Sequence, residues 1–223
     1  MTISHDFLPV EGGLPLTVAR GAGSGAAVVI MPSAFGVGPD LTAQMEELSA
    51  KASLVVALDP FFREDPGPAL YDDFTRAMGR LQAFDRTRGY RDVRAAIGWA
   101  RQQSGKPVVL VGICFGGPYA LMVAADGAVE GIVTWHGTRM DAYLERAADM
   151  RCPMRHHFGS DDPFVSSEAV ESIRKAFAGR KDVELFVHEG ATHGFSHRAS
   201  ARSYQERAER AGMDSVLGLV ERV

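Results

Sequence analysis

Residues 107–125, Pro-Val-Val-Leu-Val-Gly-Ile-Cys-Phe-Gly-Gly-Pro-Tyr-Ala-Leu-Met-Val-Ala-Ala, constrain the fold more than any other stretch. Val108 to Val111 are apolar at every position, so a strand formed there must be covered on both faces, as in a parallel sheet between helical layers. Pro118 to Ala125 reads as a helix that begins almost at once. The turn between them, Gly112-Ile113-Cys114-Phe115-Gly116-Gly117, sets one reactive side chain between glycines two residues away on either side. A strand-to-helix turn this tight needs neighbours without side chains that would clash. It lifts the Cys114 thiol clear of the sheet and places it by a helix N-terminus, whose partial positive charge favours a thiolate. This is the context of a G-x-S-x-G nucleophile with cysteine in the serine position. Two plainer readings compete: a small cysteine packed in a glycine-rich junction, and a phosphate loop, which would need a following lysine that is absent here.

The same alternation runs along the chain. Ala26 to Met31, Leu54 to Leu58, Val129 to Trp135, Met154 to Phe158 and Val183 to His188 read as further strands. Helices are predicted over Leu41 to Ala50, with Asp40 as N-cap, over Tyr71 to Phe84, over Tyr90 to Gln103, and after Ser200. In the third of these Val93, Ile97 and Ala100 share one face. The pattern predicts an α/β fold: one domain over residues 1–223, with a mostly parallel twisted sheet and helices on both faces. Chemistry in such folds lies beyond the carboxyl ends of the strands.

Composition bounds the partners. The chain has 223 residues, 46% of them hydrophobic and 23% charged, with a net charge of −4. No basic stripe stands out, so a nucleic-acid partner is not expected. An acidic small molecule needs only one or two local arginines. Two cysteines, Cys114 and Cys152, make no disulfide framework. Met1 to Asp6 lacks the basic head and apolar run of a signal peptide, and no apolar run approaches the roughly 18 residues of a membrane span. A cytoplasmic protein without membrane attachment is expected, as a monomer or small homo-oligomer. No cofactor is implied, and no metal: His156 and His157 point to opposite faces of a strand, and His193 and His197 lack an H-E-x-x-H helix.

A thiol nucleophile needs a base and a group to orient that base, in the chain order nucleophile, acid, histidine. After the strand ending at Phe158 comes Gly159-Ser160-Asp161-Asp162-Pro163-Phe164-Val165. After the strand ending at His188 comes Glu189-Gly190-Ala191-Thr192-His193-Gly194-Phe195. Asp161 and Asp162 could each be a turn or cap residue, and His193 an ordinary loop histidine. All three groups in the expected order, each just past a strand, make coincidence the weaker account.

These segments, with Val29-Ile-Met-Pro-Ser-Ala-Phe-Gly-Val37, Asp59-Pro-Phe-Phe-Arg63 and Gln82-Ala-Phe-Asp85, resemble the dienelactone hydrolase family of α/β-hydrolases along nearly the whole chain. The resemblance implies a triad of Cys114, His193 and Asp162, the acid being the aspartate that precedes one residue and then Phe164-Val165. It implies an oxyanion hole from the backbone N–H groups of Ala34 and Phe115. It also implies a small lactone or carboxylic ester as substrate, carrying a carboxylate and cleaved through an acyl-cysteine.

The chain departs from that family in its pocket. Ser33 stands where an activating glutamate is usual, so either Cys114 rests as a thiolate paired with His193, or the thiol is poorly activated and the activity has drifted. Arg63 matches a first carboxylate-binding arginine. The second is displaced, with His197 in its place and Arg198 following. Trp135-His136 replaces tyrosines and Leu81 a tryptophan, so the substrate differs from the family's chlorinated dienelactone. The substrate-binding set expected from sequence is therefore Arg63, Ser33, Trp135, His136 and Arg198. Besides hydrolysis, a non-catalytic binding protein on the same fold and acyl transfer to an acceptor other than water are consistent with these residues.

Overall fold

Eight strands form one sheet in the computed structural model, which describes residues 2–223. In chain order the elements are β1 (Thr2–Leu8), β2 (Leu14–Arg20), β3 (Ala27–Met31), α1 (Pro39–Leu48), β4 (Val55–Leu58), α2 (Phe74–Ala83), α3 (Arg86–Ser104), β5 (Val108–Ile113), α4 (Gly117–Ala125), β6 (Gly131–Trp135), β7 (Met154–Gly159), α5 (Ser167–Ala176), β8 (Val183–His188) and α6 (Glu206–Arg222). The strand order is β1-β2-β4-β3-β5-β6-β7-β8. All neighbours from β4 to β8 pair in parallel, and β1 and β2 add an antiparallel hairpin at one edge.

The continuous apolar strands are buried on both faces because successive side chains face opposite ways. Val29, Met31, Leu110 and Ile132 pack under α3 and α4, with α5 farther along at Phe158. Val28, Ile30, Val109, Val111 and Val133 pack under α1 and α6. Three of the helices start on side-chain caps: Asp73 accepts from Arg76 N–H, Asp85 from Arg88 N–H, and Ser166 from Ala169 N–H.

The hairpin β1–β2 was not predicted. Its inner strand carries Leu14, Leu16 and Val18 inward at alternate positions, the period of a half-covered strand, whereas β1 is largely exposed or half-buried. Helix α1 begins two residues earlier than expected. Gly38 is its N-cap and Pro39 opens the first turn, so Asp40 is freed to accept the Tyr71 hydroxyl at 2.6 Å. Helix α2 begins at Phe74, since Asp73 caps it. Among the described residues, no helix is long and apolar enough to cross a membrane.

Register levels the strand ends that build the site. Met31 of β3 lies opposite Gly112 of β5, Ile113 of β5 opposite Trp135 of β6, and Gly159 of β7 opposite His188 of β8. The turn after β5 fits only without side chains at its flanks. A Cβ on Gly112 would lie 2.5 Å from the Gly116 carbonyl oxygen, and one on Gly116 would lie 2.6 Å from the Met31 carbonyl oxygen. Gly116→Ala is expected to lower unfolding free energy by about 1–3 kcal/mol, the usual range for forced overpacking. Urea denaturation checks this; an unchanged midpoint would show that the turn has slack.

Candidate active site

Cys114 opens a single short helical turn, Cys114–Gly116, that feeds directly into α4. Its φ is 57°, a left-handed conformation rare outside glycine. Its carbonyl oxygen accepts the Thr138 N–H at 3.1 Å, which ties the turn to the loop after β6.

The loops after β7 and β8 meet at this turn. His193 Nε2 lies 3.2 Å from the Cys114 sulfur, and its Nδ1 lies 2.8 Å from Asp162 Oδ2. The other oxygen of Asp162 accepts the Phe164 N–H at 2.8 Å. The Asp162 carboxylate has no side-chain exposure, and with two donors aimed at it needs no water. Asp161 is turned away, accepting the Ser160 hydroxyl at 2.7 Å. The structure thus brings Cys114, His193 and Asp162 into one line, with Asp162 rather than its neighbour as the carboxylate. Burial alone would lower the His193 pKa, but the Cys114 sulfur and the Asp162 carboxylate outweigh it and push it up to about 10.

The cysteine opens into a cavity of about 390 Å³. Ala34 and Phe115 both line it, as amide donors to a carbonyl oxygen must. One wall is α2, through Phe74, Ala77, Met78 and Leu81, and Phe164 closes the other side.

All five substrate-binding residues expected from sequence lie outside this cavity's lining, and each has another partner. Arg63 grips Asp92 of α3 with two bonds, at 2.6 and 3.1 Å, and donates to the Glu11 carbonyl. Arg198 is held by Glu47 of α1 and by buried Glu209 of α6, the latter at 2.6 and 3.0 Å. Trp135 is wholly buried in the core, packed against Gly212 where any Cβ would strike its ring. Ser33 is buried, and its hydroxyl accepts the Phe35 N–H of its own loop. These side chains were assigned by position along the chain, but the ion pairs and the core claim them.

His136, the fifth, lies beneath the site. Its ring meets that of His193 edge-on, with centroids 4.7 Å apart, and its Nε2 is 2.9 Å from the Ser196 hydroxyl. Burial, reinforced by His193 and His197, holds its pKa well below the usual histidine range. It is a neutral imidazole under a charged one. The donor atoms of Cys114, His136 and His193 lie within 4.8 Å of one another.

Two positions that the sequence marks as changed from the family, His197 and Leu81, do line the cavity, and His197 stacks on Tyr71 with centroids 4.5 Å apart. Other residues that shape the cavity were missed. Arg86 and Arg139 stand at its exposed rim. The α2 wall had a legible signal, apolar residues at 74, 77, 78 and 81 on one helical face, but such a stripe is ordinarily read as core.

The sequence profile of the dienelactone hydrolase family matches residues 16–223. The carboxymethylenebutenolidase of Pseudomonas sp. (strain P51) is 30% identical over 207 residues, covering 90% of this chain and 86% of the relative. That of Pseudomonas putida is 32% identical over 180 residues, covering 78% and 76%. The chain belongs to the dienelactone hydrolase family. As a member it is a hydrolase of lactone or carboxylic ester bonds. Solved structures agree on the α/β-hydrolase fold. A Klebsiella pneumoniae chain superposes with a TM-score of 0.85 at 21% identity, over 100% of this chain and 99% of that one. A lidless α/β serine hydrolase from Xanthomonas campestris does so with a TM-score of 0.68 at 18% identity, over 98% and 93%.

The Arg63–Asp92 pair gives a stability test separate from activity. Asp92 has 3% side-chain exposure, so removing its partner strands a buried charge, at a typical cost of about 3 kcal/mol. Arg63→Ala is expected to lower the denaturation midpoint accordingly while kcat/KM for a small ester stays within about threefold, under half the 1.4 kcal/mol of a tenfold change. A selective rise in KM for anionic esters would return Arg63 to the substrate.

Proposed function

We propose that this hydrolase cleaves a small lactone or carboxylic ester through an acyl-cysteine intermediate formed on Cys114. The observation that carries the reading is the unbroken line from Asp162 through His193 to the Cys114 sulfur, at 2.8 and 3.2 Å. The thiolate adds to the ester carbonyl carbon, and the carbonyl electron pair moves onto oxygen. The backbone N–H groups of Phe115 and Ala34 stabilise that oxyanion, each worth about 3 kcal/mol of barrier. The C–O bond breaks as the tetrahedral intermediate collapses, and His193 gives its proton to the departing alkoxide or enolate. His193, now neutral, takes a proton from water as that water attacks the thioester. Collapse of the second tetrahedral intermediate releases the carboxylic acid and returns the sulfur to its paired state. Asp162 keeps His193 in the tautomer and orientation that both steps use.

The pairing with His193 also offers an answer to Ser33. A serine cannot take the thiol proton at neutral pH, but His193 Nε2 stands 3.2 Å from the sulfur, within reach of it. The neutral edge of His136 against His193 adds no competing charge.

With p-nitrophenyl acetate, wild type should turn over with an initial burst, and mass spectrometry of the quenched protein should show one acetyl group on Cys114. Cys114→Ala should lose both, and equal rates in the two proteins would overturn the reading. Asp162→Asn should lower kcat by about 10⁴-fold, as loss of the orienting acid does in related triads. Because His193 carries the proton, alkylation of Cys114 by iodoacetamide should be near its plateau at about pH 7 and slow only in acid. A rate climbing about tenfold per pH unit through neutrality would place the proton on sulfur instead.

A further inference from the structure

Helix α2 turns only part of its apolar stripe to the core. Phe74, Ala77, Met78 and Leu81 follow the spacing of one helical face, and that face lines the cavity of Cys114. Ala77 is buried and Leu81 packs against the core, but Phe74 is 50% exposed and Met78 38%, so that part of the stripe is left uncovered by the protein itself. Beside it Arg80 is buried and bonded to Asp65 and the Gly67 carbonyl. Across the mouth, the Phe164 ring stacks on Phe74 with centroids 6.2 Å apart and meets His193 edge-on at 5.0 Å. The Phe164 N–H donates to Asp162, which ties the backbone of this wall residue to the carboxylate beside His193.

We propose that this wall binds the acyl group of the substrate and that the group is uncharged and apolar, so neutral esters and lactones are preferred over carboxylate-bearing ones. The inference rests on the ester-cleaving role proposed above and adds the substrate class. The cations that would receive a carboxylate are otherwise engaged. Arg63 is paired with Asp92, Arg80 with Asp65, and Arg198 with Glu47 and Glu209. His197 lines the cavity but is buried, and burial holds its pKa far below the usual histidine range, so it offers a carboxylate no positive charge. Arg86 and Arg139 lie at the exposed rim, where water screens their attraction. A carboxylate drawn past them into the wall of Phe74, Met78, Leu81 and Phe164 would lose its hydration without a charged partner. A methylene placed there gains about fourfold in binding.

The test compares p-nitrophenyl acetate, butyrate and hexanoate with mono-p-nitrophenyl glutarate, whose acyl chain ends in a carboxylate. Wild type should show kcat/KM rising severalfold from acetate to hexanoate and at least about 100-fold lower for the glutarate than for the hexanoate. Met78→Arg, which sets a cation in the exposed part of the stripe, should narrow that last ratio by about tenfold or more. Cys114-dependent turnover that favours the glutarate, or ignores chain length, overturns the inference and leaves the ester-cleaving role standing. Loss of a glutarate preference in Arg86→Ala/Arg139→Ala would then assign its carboxylate to the rim. Absence of turnover for every ester, or turnover that survives Cys114→Ala, overturns the ester-cleaving role and this inference with it.

Discussion

The hydrogen bond from Thr138 N–H to the Cys114 carbonyl oxygen shows the constraint on which the site depends: two strand ends hold each other in conformations that neither would keep alone. The non-glycine residues at positive φ are Cys114, His136 and Arg139, and they all lie in the turns after β5 and β6. Such conformations cost on the order of 1–3 kcal/mol each and persist only where the surroundings over-determine them. Here the surroundings are the parallel register, which levels Ile113 with Trp135, and α4, which begins three residues after the cysteine. The His136 N–H is in turn bound by the His157 carbonyl of β7. Strain in one turn is thus opposed by the hydrogen bonding of its neighbours. The sulfur stands at a fixed height above the sheet, where His193 of the loop after β8 can reach it.

Electrostatics beneath that point is arranged by burial. Five histidines lie around the β6–β7–β8 ends with unlike charge. His193 is charged because a sulfur and an aspartate flank it, whereas His136, His157, His188 and His197 are pressed toward the neutral form by desolvation. The neutral rings pack closely, His136 against His197 at 5.1 Å and His157 against His188 at 5.2 Å. A second positive charge next to His193 would oppose the proton it holds. Neutrality of the surrounding imidazoles is therefore part of what leaves the proton on His193.

The line of Cys114, His193 and Asp162 was legible because it depends on local features. Glycines at 112 and 116 announce the turn, apolar runs announce the strands, and the position just past a strand end is a position in space once the sheet is parallel. The substrate side was not legible, because it depends on partners distant in sequence. Arg63 matches a family position, but nothing near it in sequence shows that Asp92 lies within 2.6 Å. Arg198 follows the histidine loop as expected, yet Glu47, distant in the chain, and Glu209 on the following helix claim it. Trp135 ends a strand, where a side chain can face a pocket or the core, and α6 decides for the core by bringing Gly212 against it. The hairpin of β1 and β2 escaped for a related reason, since its outer strand buries little and shows only weak alternation.

The contrast between the two halves of the site has a physical consequence for the way such an enzyme can change. The line through His193 tolerates little, because a displacement of an ångström breaks a hydrogen bond of 2.8 Å and with it the orientation of the base. The cavity wall is set by side chains on one exposed helical face, α2, whose own caps and buried face do not involve them. Asp73 starts the helix and Arg80 anchors it to Asp65 and Gly67. Phe74, Met78 and Leu81 can vary without disturbing either anchor. A substitution in that stripe alters what the cavity accepts while Cys114, His193 and Asp162 keep their geometry. On the proposed reading, the acyl preference of this chain is a property of the α2 face, separable from the chemistry of the strand ends.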